Sequence, residues 1–144
     1  MARSQTQPPI RNPKRNKMKP IDLQNSVLEY WFSKSMKQHY QKNKLMDRHI
    51  KKTFGPHITK AMKGHYDTLK KTPEGTLALI ILLDQFSRNA YRDTPKAFAQ
   101  DKYALALTKY AIKKGFPKLL PKDQVSFLYM PLMHSENLKD QNLC

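Results

Sequence analysis

The sequence predicts an all-α domain of about five to six helices in antiparallel hairpins. Three observations predict it. Apolar residues recur every three or four positions, and no segment shows strand alternation between hairpin turns. Helix-start signals precede the apolar stretches, most clearly Thr72-Pro73-Glu74. The run Leu77 to Leu83 is apolar in every direction around a helix axis, as a central, buried helix requires.

Residues 1–20 read as a disordered basic tail ahead of a single domain over 21–144. Prolines stand at 8, 9, 13 and 20, apolar side chains are few, and no acid opposes the six Arg and Lys residues. Such a segment has little to offset the entropy of ordering. The first helix is expected from about Ile21, with Ser26 and Glu29 matching a capping box, or from Asp22. Val27, Leu28, Tyr30, Trp31 and Phe32 supply its apolar cluster, and Trp31 is read as core.

A second helical segment spans about 43–65. Met46, Ile50, Phe54, Ile58 and Met62 form its stripe, and Lys and Arg fill much of the rest. Gly55-Pro56 predicts a kink or a break. At Thr72, the hydroxyl can cap, Pro73 suits the first helical position, and Glu74 complements the positive end of the dipole. The signal recurs at Thr94-Pro95, and Asp101 is read as a second possible cap. Its helix places Ala104, Leu105, Thr108, Ala111 and Ile112 on one face, with Gly115 and Pro117 closing it. The last segment starts at Pro121, and Pro131 is expected to kink it.

The chain has 144 residues and a formal net charge of +16, with a pI near 10.0. This charge favours acidic partners, whether acidic protein, nucleic acid or anionic membrane, although a basic face is more often simply solvated. The longest apolar run is too short to span a bilayer, and the N-terminal stretch lacks the apolar core of a secretory signal. The single cysteine, Cys144, cannot pair within the chain, which fits a reducing compartment such as the cytoplasm. No cofactor motif appears, and one His among acids is not a metal-ligand pattern.

The chemistry gathers in two clusters. Asp84 and Arg88 stand four apart on one helix face, as do Gln85 and Asn89, and Arg92 follows. Asp84 shares its face with Leu77, Ile80 and Ile81, so it is expected to be at least half buried and paired with Arg88, with Tyr91 as a cover. The second cluster, His134, Ser135 and Glu136, interrupts the apolar FLYMPLM stretch. If the two helices pack together, His134 and Glu136 meet Asp84, Arg88 and Arg92. Three readings follow. A buried polar network fixes helix register. A small-ligand or anion site uses Arg88, Arg92, Asn89, Gln85 and His134. A catalytic site uses His134 as base, oriented by Asp84 or Glu136. The first reading is preferred.

The sequence also resembles bacterial domain-of-unknown-function family 924. The resemblance runs from about Val27 onward. It is carried by EYWF at 29–32, FGPHI at 54–58, TPEGTLALIILLDQFSRNAYRDTPKAFAQD at 72–101, AIKKGF at 111–116 and FLYMPLMHSENLKDQ at 127–141. It implies an α-α superhelix of the tetratricopeptide-like kind, although that repeat's consensus is absent, and it implies no reaction. The family's signature maps onto Asp84, Gln85, Arg88, Asn89, Tyr91, Arg92, His134, Ser135, Glu136, Asp140 and Gln141. Two departures stand out: Ser87 where the family usually has proline, and Asp93 where it has glycine. The resemblance further implies one or two more helices after residue 141, so a shortened last hairpin is expected. The function this supports is a non-enzymatic helical binding or scaffold protein. The alternatives are an enzyme or enzyme remnant acting on a small anionic substrate, and non-specific nucleic-acid binding through the tail and the 42–63 basic face.

Overall fold

The computed structural model describes residues 18–135. Every regular element among them is helical. They are α1 (Pro20–Phe32), α2 (Met36–Tyr40), α3 (Lys44–Met62), α4 (Pro73–Ile80), α5 (Ser87–Ala90), α6 (Asp101–Lys113) and α7 (Lys122–His134). A π-helical segment, Ile81–Phe86, joins α4 to α5, so residues 73–90 form one continuous rod. Counting the rod once gives six helices. Short 3-10 turns at Asp67–Lys71, Pro95–Phe98 and Phe116–Leu119 link the helices.

The rod is the centre of the molecule. Residues Leu77 to Leu83 are all buried, as a helix apolar on every side must be. Helices α1, α3, α6 and α7 all pack against it. Its start follows the expected chemistry: the Thr72 hydroxyl accepts from the Gly75 amide at 3.0 Å, and Pro73 occupies the first turn. Gly75 is required by packing. A Cβ there would stand 2.0 Å from the Leu69 carbonyl oxygen.

Several local expectations shift. Helix α1 begins at Pro20, which places Ser26 and Glu29 inside the helix rather than at its start. A full capping box does occur, at Ser35 and Gln38 of α2. Helix α3 runs unbroken through Gly55-Pro56. Its stripe is buried from Met46 to Ile58, but Met62 is exposed and Ala61 takes its place in the core. A strict four-residue repeat drifts about 40° per step on a 3.6-residue helix, so Met62 has rotated roughly 160° from Met46. On α6 the same geometry buries Leu107 beside Ala104, Thr108 and Ala111, and leaves Leu105 and Ile112 half-buried. Helix α7 continues through Pro131. Trp31 is fully buried, edge-on to Phe86 and Phe127 and stacked on His39 at 4.2 Å. The expectations for the basic tail up to residue 17, for Glu136, Asp140 and Gln141, and for the final hairpin lie outside the described residues.

Candidate functional site

The polar end of the rod starts in the π segment. Asp84 and Gln85 belong to it, and Arg88 and Asn89 to the α5 turn that follows. A π turn holds an extra residue and is frequent where side chains must be re-aimed. Asp84 is 1% exposed, within the expectation that it is at least half buried. A buried carboxylate without partners is too costly to persist, and Asp84 has three. Arg88 Nη1 donates to Oδ1 at 2.9 Å and to the Asp84 backbone carbonyl at 2.8 Å. Gln85 Nε2 donates to Oδ2 at 2.9 Å. His134 Nδ1 reaches Oδ1 from α7, also at 2.9 Å. A carboxylate only accepts, so the proton sits on Nδ1 and leaves Nε2 facing away.

Arg88 also spans to α6. Its Nη2 donates to Asp101 Oδ2 at 3.0 Å, and its guanidinium lies 5.1 Å from the centre of the Phe98 ring. Asp101 is therefore the first residue of α6 and an ion-pair partner; it is not the cap, which falls to Gln100. Burial pushes the Asp101 carboxyl above its usual range, and the charge and hydrogen bond of Arg88 oppose that shift.

A second carboxylate gathers the remaining polar residues. Asp47 on α3 takes a forked bond from Arg92, Nε to Oδ2 at 2.6 Å and Nη2 to Oδ1 at 3.1 Å, and a further bond from Asn89 Nδ2 at 2.9 Å. The bond to Asp47 holds the Arg92 guanidinium charged even more firmly than usual, and burial opposes this. The expected Gln85–Asn89 pair does not form, because the two amides serve different carboxylates. Arg92 also leaves the Asp84 cluster. Helix α5 ends at Ala90, so a side chain two residues later is aimed by the turn rather than by the helix face. The Tyr91 ring sits under Lys96 Nζ at 4.6 Å.

The two joints thus tie the rod to α6, α7 and α3. Asp47 was not singled out from sequence, although it is the only acid between residues 44 and 66 and stands in a basic helix. Beside the joints lies a groove of about 430 Å³, lined by Arg88, Arg92, Asp93, Thr94, Pro95, Ala97 and Phe98. Phe98 is 58% exposed at this groove. His134 is not part of the lining. Among the described residues, no group of three or more His, Cys, Asp or Glu side chains is placed to hold a metal ion, and no helix is long and apolar enough to cross a membrane.

These features define an all-α protein whose central rod ends in a buried, carboxylate-centred polar joint. The chain belongs to the family described as bacterial protein of unknown function (DUF924), whose model matches residues 27–144. Its fold is similar to the solved structure of a protein of unknown function from Agrobacterium tumefaciens, with a TM-score of 0.83 and 27% identity. The likeness covers 87% of this chain and 71% of that one. No curated protein matches.

Proposed function

We propose that the protein is a non-enzymatic helical binding protein, and that the groove beside Arg88 and Arg92 receives the acidic group of a ligand with an apolar or aromatic body. One observation carries this reading: two guanidinium groups and an exposed phenyl ring line the same groove. Hydrogen bonds to carboxylates occupy Arg88 through Nη1 and Nη2, and Arg92 through Nε and Nη2. Arg92 Nη1 is left for an incoming anion, and Phe98, Pro95 and Ala97 offer it apolar contact. The strong positive charge of the chain speeds the approach of acidic ligands and acidic protein segments.

The buried network itself supports the register-fixing role. Every oxygen of Asp84 is matched by a donor, so nothing in that carboxylate waits for a substrate. The enzymatic alternative has its best support in the Asp84–His134 contact, which orients an imidazole as catalytic dyads do. That imidazole lies outside the groove lining. Nucleic-acid binding finds support in the exposed stripe Lys44, Arg48, Lys51 and Lys52 on α3, and binding of that kind weakens steeply with salt. The single cysteine favours the cytoplasm.

The test is a thermal-shift comparison of 3-phenylpropionate with the neutral 3-phenylpropanol. The acid should raise the melting temperature and the alcohol should not. Phe98→Ala and Arg92→Lys should each weaken the acid's effect, the first by removing the apolar contact and the second by removing the free edge of the guanidinium. Equal shifts from acid and alcohol rule the reading out.

A further inference from the structure

A second pocket, away from the groove described above, has a one-sided chemistry. It occupies about 320 Å³ between α1, α2 and the start of α3, and is lined by Tyr30, Lys34, Gln38, Asn43, Leu45, Met46 and His49. Two of its residues are side-chain amides whose orientation is fixed by their caps. The Ser35 backbone amide donates to Gln38 Oε1 at 2.8 Å, and the Met46 backbone amide donates to Asn43 Oδ1 at 3.1 Å. A backbone N–H can only donate, so each side-chain atom facing it must be oxygen. Both amides therefore spend their acceptor on the backbone and keep their NH2 groups for the pocket.

The remaining polar lining is also donor-rich. Lys34 Nζ sits over the Tyr30 ring at 4.6 Å, and the His49 ring stacks on that same ring at 4.9 Å. No carboxylate lines the pocket. Asp47 lies near enough to raise the Tyr30 hydroxyl, after burial has done so, but both of its oxygens are bound by Asn89 and Arg92. These polar side chains come from separate segments: Lys34 from the turn after α1, Gln38 from α2, Asn43 from the cap of α3 and His49 from α3 itself. That suits a tetrahedral oxyanion with several acceptor oxygens better than a planar carboxylate. Leu45 and the Tyr30 ring add apolar wall, more than a bare ion would use.

We propose that this pocket, formed by Lys34, Gln38, Asn43 and His49 around Tyr30, binds a phosphoryl oxyanion. The site is separate from the Arg88–Arg92 groove, so either can fail without the other.

The experiment follows side-chain NH2 and backbone signals by NMR as the full chain is titrated with inorganic phosphate, phenyl phosphate and acetate, near neutral pH and at constant ionic strength. Saturable shifts of the Gln38 and Asn43 NH2 groups with phosphate or phenyl phosphate are expected, and acetate should bind at least about tenfold more weakly. Tighter binding of phenyl phosphate identifies a phosphomonoester as the ligand class; equal binding identifies free phosphate. The double variant Lys34→Gln, His49→Gln should lose about tenfold or more in affinity, and Lys113→Gln, which removes one exposed charge from α6, should not. Arg92→Lys should also leave this binding intact. Shifts that never saturate, that spread evenly over the lysine-rich surface, or that acetate reproduces at the same concentration overturn the proposal.

Discussion

His134 Nδ1 meets Asp84 Oδ1 at 2.9 Å across fifty positions of sequence, and this contact closes the rod against α7. Arg88 reaches the same oxygen from one turn below, and Gln85 takes the other oxygen. A carboxylate 1% exposed is thus met by three hydrogen-bond partners on two helices. The arrangement makes the rod's polar end a register lock, because sliding α7 by one residue would strand the imidazole and leave the carboxylate short of a donor.

Arg88→Met should therefore be costly. It removes the guanidinium that neutralises Asp84 and also frees Asp101, one oxygen of which is already buried without a partner. A loss of about 3 kcal/mol is expected from equilibrium denaturation. The double variant Asp84→Leu, Arg88→Met should recover part of it, because the stranded charge is gone. A single variant as stable as the parent would remove the structural role assigned to the pair.

Gly75→Ala should destabilise, although alanine is the better helix former. The usual gain is about 1 kcal/mol. Here the new Cβ would meet the backbone carbonyl oxygen of Leu69 at 2.0 Å, so backbone and not a flexible side chain would have to shift. A net loss of about 2 kcal/mol in chemical denaturation is expected.

Asp93→Gly should stabilise. Asp93 has φ 67, the left-handed region that glycine occupies without strain. Its carboxylate is largely exposed, and its ion pair with Lys42 at 3.5 Å is a surface contact. The expected gain is modest, below about 1 kcal/mol, and a rise in melting temperature would reveal it. Asp93→Ala, which keeps the Cβ, should not show it.

Ser87→Ala should cost nothing or raise stability slightly. Ser87 is fully buried, and its hydroxyl has no hydrogen-bond partner. Removing an unsatisfied buried hydroxyl relieves a desolvation cost. Differential scanning calorimetry should place its midpoint at or above that of the parent.

Acidification should weaken the fold through His57. Burial, aided by the charge of Lys60, pushes its imidazole below the ordinary value of 6.5, and its Nδ1 lies 2.6 Å from the Tyr66 hydroxyl. The unfolded chain thus binds the proton first. The contribution is complete above the unfolded value of 6.5 and is lost as pH falls from there toward the lowered folded value. Melting temperature measured against pH should fall less steeply in His57→Gln than in the parent over that interval.

Much of this could be read locally. Thr72 and Pro73 declare a helix start because cap chemistry needs only neighbours in sequence, and the structure shows that start. The run from Leu77 to Leu83 announced a buried rod because only an interior accepts a helix apolar on every side. The i,i+4 spacing of Asp84 and Arg88 was enough to pair them. The capping box at Ser26 failed because tertiary burial of Leu23 and Val27 extends α1 back to Pro20. Arg92 and Asn89 found their carboxylate on α3, forty-odd residues away, where no local spacing could point.

The sequence by itself determined the all-α class, the central rod, and the need for Asp84 to be paired, since each follows from periodicity, cap chemistry or the cost of burying a charge. The tertiary structure alone decided which partners answer that need, that Asp47 anchors a second joint, and which donors are left facing a groove or a pocket. Those outcomes depend on how separate helices are brought together, and hydrogen-bond partners across a packed interface carry no mark in the spacing of either helix.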